Sequence, residues 1–185
     1  MPADDPEPLA PRLLRSERVF EGRLINVRVD TVATAGGGSE TREVVEHPGA
    51  VLLLALDEAD NVFFVRQYRH PVERVLLELP AGTIDPGEKP ETCAVRELRE
   101  ETGFRPRTLQ PLGGFFLSPG YCNEYIYVFL CTDLEENPLD TGDEDDIRAL
   151  RLPLAEAFRL VETGEIEDAK SIAALALLRR RRAMP

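Results

Sequence analysis

Cysteine is scarce in this 185-residue sequence, and the spacing of its few cysteines excludes the two commonest uses of the residue. Cys93, Cys122 and Cys131 lie too far apart for a paired metal-binding motif, and an odd number cannot complete a disulfide framework. We therefore expect three reduced thiols without a catalytic role.

Long apolar runs are also absent. No segment approaches the ~20 consecutive apolar residues that a membrane-spanning helix needs, so we expect no association with a membrane. The N-terminal segment MPADDPEPLAPR is rich in proline and acidic residues, and it lacks the basic and apolar regions of a secretory signal. We expect residues 1–12 to be a disordered tail and the protein to be cytoplasmic.

Basic residues are outnumbered by acidic ones, 22 to 34, so the formal net charge at pH 7 is −12. Binding to nucleic acid needs a basic surface that neutralises phosphates, so this class of partner is excluded. The one basic cluster, Arg179–Arg182, follows the apolar stretch SIAALALL. We interpret it as the C-terminal end of a helix, where the helix dipole favours cations.

The apolar and charged residues that are present follow the pattern of a mixed α/β domain. Residues 13–32 and 40–47 predict short strands, and the two apolar runs of AVLLLALDEADNVFFVRQYR, separated by an acidic turn, predict a β-hairpin. A helix is predicted over Pro90–Thr102, with proline in its first turn and Gly103 after its last. Later segments predict three further strands and two closing helices: GFFLSPG, EYIYVFLCTDL, RALRLPL, PLAEAFRLVETGEI and DAKSIAALALLRRRR.

Three glutamates crowd one side of the predicted helix. At 100° per residue, Glu97, Glu100 and Glu101 share a sector beside the apolar stripe. At ~6 Å and an effective dielectric of about 20, each like-charged pair costs on the order of 3 kcal/mol, so the cluster favours a bound cation. Oxygen ligands without histidine or cysteine indicate a hard cation, Mg²⁺ or alternatively Mn²⁺. From this helix alone, a solvated Arg–Glu face is the competing interpretation.

The residues upstream extend the cluster into a longer pattern. Glycine, glutamate, an Arg–Glu pair, leucine, a Glu–Glu pair and a second glycine follow at fixed spacing: Gly82, Glu88, Arg96, Glu97, Leu98, Glu100, Glu101 and Gly103. This pattern resembles the Nudix box over 23 residues without a departure. The resemblance implies an α/β/α sandwich with a mixed sheet, and a hydrolase of nucleoside diphosphates linked to another group.

The resemblance also implies a ligand set for the metal. Glu97, Glu100 and Glu101 would bind it together with the backbone carbonyl of Ala81, the residue before the first box glycine. Glu97 and Glu101 are suited to bridging metals, and Glu100 completes the metal shell or assists the reaction. Arg96 points to another side of the helix, where we expect it to pair with Glu88.

Segments outside the box indicate the substrate class. Four of them are similar to the ADP-ribose pyrophosphatase branch of the family: VRQYR, LELPAG, SPG and PLAEA. In the third, Pro119 stands sixteen residues after Gly103, a placement that resembles this branch, and we expect Pro119 and Gly82 to contact a nucleotide-sugar substrate. The alternatives are a Nudix hydrolase of GDP-mannose, NADH or an oxidised nucleotide, and a non-catalytic nucleotide sensor, although a sensor is expected to lose the box glutamates.

The resemblance implies two domains and a homodimer. Residues 13–47 would form a small strand domain exchanged between protomers, and residues 48–185 the hydrolase domain. Glu43 and His47 then become candidates for contacts with adenosine. The alternative is that Glu43 and Glu46 are simply solvent-facing positions of an alternating strand. Arg66 and Arg69 suit bidentate phosphate contacts, with a salt bridge in the dimer as the alternative for Arg66.

A general base is the remaining requirement, and neither histidine has a catalytic context. The branch takes its base from a mobile loop between late strands, which corresponds here to GDEDD. Glu144 is the first choice and Asp145 the second, since such a run can be aligned one residue apart. A solvated acidic turn is the competing interpretation, and the roles of Tyr121 and Cys122 stay open.

Overall fold

The computed structural model describes residues 10–139 and 147–183. Over these ranges, the chain forms ten strands, three α-helices and a short 3₁₀ turn at His70–Val72. The strands are β1 Leu13–Glu21, β2 Asn26–Ala33, β3 Ser39–Glu46, β4 Ala50–Ala55, β5 Asn61–Arg69, β6 Arg74–Glu78, β7 Ala81–Thr83, β8 Phe104–Phe116, β9 Tyr125–Glu136 and β10 Ile147–Pro153. The helices are α1 Pro90–Thr102, α2 Leu154–Glu162 and α3 Ala169–Ala183.

The chain folds into two compact units, and the smaller one contains β1, β2 and β3 together with Ser118–Glu124. The three strands form an antiparallel sheet with β2 in the middle. Val45 joins the later segment to this sheet, because its N–H donates to the Tyr121 carbonyl at 2.7 Å and its own carbonyl accepts from Asn123 at 3.1 Å. Every residue of β1 is exposed in this chain.

The larger unit contains two sheets. One has the strand order β7-β4-β9-β8, with β4 and β9 parallel and the other pairs antiparallel. The other is antiparallel, with the order β10-β5-β6. The larger unit is therefore built on mixed strand pairing, as the sequence predicts.

Strand β4 lies at the centre of the larger unit, and all six of its residues are buried. Val51 and Leu53 belong to an apolar cluster with α1, through residues such as Leu98. Leu52 and Leu54 point the other way, into a cluster that includes residues of α2 and α3. Because successive side chains of a strand alternate between faces, helices cover both faces, which gives an α/β/α sandwich.

The predicted hairpin between β4 and β5 is wrong. A turn is present, since the Asp57 carboxylate accepts the N–H groups of Ala59 and Asn61, but only the Leu56–Val62 bridge pairs the two strands. Beyond it, β4 joins β7 and β9 while β5 joins β6 and β10. An acidic turn reverses the chain, but the two strands then enter different sheets, and a local turn signal does not specify which sheet a strand joins.

Helix α1 has the bounds that the sequence predicts, with Gly103 in the left-handed region at a φ of 78°. In contrast, β8 starts at Phe104, well before the predicted GFFLSPG strand. The start of this strand was not predicted because it contains Pro106 and Pro111, and proline is rare inside strands. Both are tolerated because β8 is an edge strand paired only with β9. No helix in the described ranges is long and apolar enough to cross a membrane.

Candidate active site

The Nudix-box residues occupy β7, the following loop and α1. The helix buries Cys93, Ala94 and Leu98 against the central sheet. Glu97 and Glu101 lie in the adjacent sector, next to the backbone of β7. The helical period thus places the glutamates at the border of the core, as the sequence predicts.

Arg96 connects the glutamates of the loop and the helix. Its Nε and Nη2 donate to the two carboxylate oxygens of Glu88 at 3.1 and 2.8 Å, which confirms the predicted pairing. Its Nη1 donates to Glu97 at 2.7 Å and to Glu100 at 3.0 Å. The Arg96 guanidinium holds the pKa of the Glu88 carboxyl below its ordinary value. The arginine therefore orients three carboxylates at once.

Glu101 is held by the backbone rather than by an arginine. The N–H of Ala81 donates to its Oε2 at 3.1 Å. Burial, together with the negative charge of Glu97, raises the pKa of Glu101 to about 8, although the hydrogen bond from Ala81 lowers it. Burial also raises the pKa of Glu97 above its ordinary value. Two neighbouring carboxylates are thus kept in a place that disfavours negative charge.

Gly82 leaves room for Glu97. A Cβ atom at position 82 would lie 1.8 Å from Cδ of Glu97, which is far inside any permitted contact. Val51 on β4 pairs with Gly82, so the glycine is fixed in the sheet directly below the helix. The first box glycine is therefore required by the space that a box glutamate occupies.

The donor set fits a hard divalent cation. Within residues 10–139 and 147–183, no three His, Cys, Asp or Glu side chains already converge as a metal site. The carboxylates of Glu97 and Glu100 accept from Arg96, and that of Glu101 accepts from the N–H of Ala81. Burial raises the pKa of both Glu97 and Glu101, so a cation bound beside them would favour their charged forms. All the available donors are oxygen atoms, as Mg²⁺ and Mn²⁺ prefer.

The two arginines predicted to bind phosphate have different surroundings. Arg69 donates through Nε and Nη2 to both carboxylate oxygens of Glu78, at 2.8 and 2.7 Å. Its pKa is raised by this hydrogen bonding and, to a smaller degree, by the charge of Glu101. Arg66 is exposed and has no ion pair within the described residues. It lines a cavity of about 340 Å³ whose lining includes Arg74 but none of the box glutamates.

The remaining described residues of the predicted site lie in the smaller unit. Glu43 and Pro119 are exposed. The backbone N–H of His47 donates to Oδ1 of Asn123 at 2.8 Å, and its ring Nδ1 lies 3.8 Å from the Glu124 carboxylate. Glu144 and Asp145, the two choices for the base, lie outside the described residues. Their assignment stays a prediction.

A buried charged group next to the segment before β7 was not predicted from the sequence. Glu78 in LELPAG is 1% exposed and pairs with Lys170 as well as with Arg69. Ser171 and Asp168 lie beside Lys170 at the start of α3. The available signal was a single charged residue between apolar residues just before the loop, and a short polar segment, DAKS, just before an apolar helix.

Comparison with known proteins gives three consistent matches. A family model described as the NUDIX domain matches residues 46–175. The chain is 35% identical to an ADP-ribose pyrophosphatase of Bacillus subtilis (strain 168), over 95% of this chain and 96% of that protein. It is 44% identical to an ADP-ribose pyrophosphatase of Mycobacterium tuberculosis, over 86% of this chain and 79% of that protein.

A solved structure supports the same relationship at the level of the fold. The crystal structure of an ADP compounds hydrolase superposes with a TM-score of 0.82 and 28% sequence identity, covering 92% of each chain. The predicted α/β fold class is therefore confirmed.

Proposed function

Since the chain belongs to the Nudix family of hydrolases, we propose that it cleaves the diphosphate of ADP-ribose or a related ADP-sugar. The products are AMP and a sugar phosphate. The observation that carries this proposal is the pair of half-buried carboxylates, Glu97 and Glu101, packed against Gly82 and Ala81. The ADP-ribose pyrophosphatases among its relatives support the choice of substrate.

We propose magnesium as the metal, with manganese as a substitute. Glu97, Glu100, Glu101 and the carbonyl of Ala81 would hold it. A bound divalent cation supplies charge neutralisation for the diphosphate and makes water more acidic. Arg96 supports this by fixing the directions of Glu97 and Glu100 through one nitrogen atom, so that their oxygens are oriented before the substrate arrives.

Arg69 is the arginine best placed to bind the diphosphate. Glu78 occupies its Nε and Nη2, and among the described residues its Nη1 has no acceptor. A guanidinium held along one edge presents the other edge in a fixed orientation, which suits phosphate oxygens. For Arg66, exposure without an ion pair is compatible with a phosphate contact but does not distinguish it from a contact between protomers.

The attacking water needs a group that removes its proton. We propose Glu144 for this role, with Asp145 as the second choice, because both belong to the acidic segment before β10. Glu100 is the next carboxylate to consider. A base carried by a loop acts once the substrate and the metal are in place.

We further propose a homodimer in which the N-terminal strands are exchanged. Glu43 and His47 would contact the adenosine, and Pro119 and Gly82 would contact the substrate elsewhere. The support is β1, every residue of which is exposed. It carries large apolar side chains that a monomer leaves in water: Leu13, Leu14, Val19 and Phe20, each 45–55% exposed. Exposed apolar groups of this kind mark surfaces of association.

A substrate panel tests the proposed activity. Purified protein with Mg²⁺ is supplied with ADP-ribose, ADP-glucose, GDP-mannose, NADH and an oxidised nucleotide, and the products are separated by chromatography. We expect the highest kcat/KM for ADP-ribose, with AMP and ribose 5-phosphate as products, and no turnover in EDTA. A preference for GDP-mannose or NADH would contradict the substrate but not the chemistry, and binding without hydrolysis would indicate a sensor.

A further inference from the structure

The first turn of α3 is organised by one aspartate. Asp168 directly precedes the helix, and its Oδ2 accepts the backbone N–H of Ser171 at 3.0 Å, which is the hydrogen bond of an N-cap. The same oxygen accepts the hydroxyl of Ser171. Its Oδ1 lies 2.9 Å from Nζ of Lys170. The cap therefore fixes the two side chains that follow it.

Ser171 connects this turn to the loop that precedes β7. Its hydroxyl is fully buried and accepts the N–H of Leu79 at 2.8 Å. Two residues further on, the N–H of Ala81 donates to Glu101. The carbonyl of Pro80, between them, accepts the N–H of Leu53 at 2.9 Å. One serine thus helps to set the backbone segment that engages a box glutamate.

Lys170 acts on the same loop through a charge. Its Nζ pairs with the carboxylate of Glu78, which also receives both hydrogen bonds from Arg69. A carboxylate that is 1% exposed needs its partners, because removing one of them leaves a buried charge with less compensation. Glu78 is also the residue immediately before Leu79. Both contacts of α3 therefore end within three residues of Ala81.

We propose that Lys170 and Ser171 are positioning residues for the hydrolysis, which hold the Glu78–Ala81 segment so that Glu101 and Arg69 face the substrate correctly. The inference rests on the proposed function, because it assigns a role within that site. Ser171 acts through Leu79 and Ala81 on the metal-binding side. Lys170 acts through Glu78 on Arg69, the phosphate-binding side. We call the contacts from Ser171 the serine arm and those from Lys170 the lysine arm. Loss of each is expected to cause a different defect.

The serine arm is tested with the metal alone. Mn²⁺ binding to the substrate-free protein is measured by electron paramagnetic resonance for Ser171→Ala, which leaves the charge unchanged and removes the acceptor of Leu79. We expect the dissociation constant to rise at least fivefold and kcat to fall at least tenfold. Ser171→Thr keeps a hydroxyl and should restore most of both. All measurements are made at a temperature where circular dichroism shows the variant to be folded.

The lysine arm is tested by steady-state kinetics. Lys170→Met should raise KM for ADP-ribose at least fivefold, since Glu78 then holds Arg69 without its second cation, and Lys170→Arg should recover most of that loss. The matched control is Arg182→Met, which removes a positive charge from the same helix. Arg182 pairs with the exposed Asp60 at the opposite end, so Mn²⁺ affinity, kcat and KM should stay within twofold of wild type.

The outcomes separate this inference from the proposed function. If folded Ser171→Ala and Lys170→Met match the wild type within twofold in Mn²⁺ affinity, kcat and KM, and only their melting temperatures fall, the two residues are merely structural and the inference is wrong. If Ser171→Ala does not fold, Lys170→Met decides. A wild type that does not cleave ADP-ribose refutes the proposed substrate, while the Mn²⁺ measurement still decides the serine arm.

Discussion

At the scale of single residues, Glu101 combines burial with a negatively charged neighbour. Its pKa is raised to about 8. In the metal-free fold it therefore binds a proton more tightly than in the unfolded chain, where a glutamate has its ordinary pKa of about 4.3. Below the unfolded pKa the carboxyl is protonated in both states, so it does not destabilise the fold. As pH rises from the unfolded pKa to the folded pKa, the fold loses stability, because the unfolded chain releases the proton readily while the folded chain must give it up to leave a charge in an unfavourable place.

Glu101→Gln should therefore separate stability from activity. In EDTA, we expect the variant to gain melting temperature relative to wild type as pH rises from 5 to 9, since an amide cannot ionise. With Mg²⁺ at pH 8, turnover should fall by a factor of hundreds, because one ligand charge is lost. The control is Glu156→Gln on the surface of α2. Turnover within tenfold of wild type at saturating Mg²⁺ would remove Glu101 from the metal site.

The cysteines give a second prediction at this scale. All three are free thiols, and burial raises the pKa of Cys93 above its ordinary value and that of Cys131 to about 12. Because the thiolate is the reactive form, a disulfide reagent at pH 8 should label only Cys122 in the native protein, and all three after denaturation. Cys122→Ser should leave the native protein unlabelled. Fast labelling of Cys93 would mean that α1 opens readily.

Site residues could be predicted from the sequence where they belong to one segment, and not where distant segments bring them together. Glu97, Glu100 and Glu101 could be placed together because a helix has a fixed period and the glutamates belong to one segment. Arg69 could be identified as a cation near the loop, but its bidentate pairing with Glu78 depends on two neighbouring strands. Lys170 lies 92 residues from Glu78. No local pattern brings such distant charges together.

At the scale of elements, predictions succeeded where local rules dominate. Helix α1 begins at a proline and ends before a left-handed glycine, so its ends could be predicted from the sequence. The pairing of β4 and the start of β8 could not. In both cases a tertiary circumstance, the entry of β4 and β5 into different sheets or a place at a sheet edge, overrode the signal of a turn or of prolines.

The acidic segment before β10 carries the prediction about the base. Glu144→Gln should lower kcat strongly and change KM little, because a base acts in the transition state and contributes little to binding the ground state. Asp145→Asn should do less. Initial rates over a range of ADP-ribose concentrations check both. If Asp145→Asn is the damaging change, the base lies one residue later, and if both variants keep their turnover, Glu100 or Glu124 is the next carboxylate to test.

At the scale of the whole molecule, the oligomeric state is the main prediction. Deleting residues 1–47 removes β1, β2 and β3 together, and with them Glu43 and His47. We expect the wild type to be a dimer in analytical ultracentrifugation and the truncated protein to be a monomer without ADP-ribose hydrolysis. Circular dichroism shows whether the remaining unit has folded. A folded, monomeric and fully active truncation would contradict the shared site.

The parallel pairing of β4 with β9 sets the order in which the protein can fold during synthesis. Ala50 pairs with Ile126, a position 76 residues later, so β4 cannot complete its sheet until β9 has left the ribosome. Contacts between such distant segments form slowly, because a long loop must close first. Until then, the run AVLLLA stays exposed as a site for chaperones or for aggregation. The strand that anchors the finished core is therefore vulnerable to aggregation while the chain is being made.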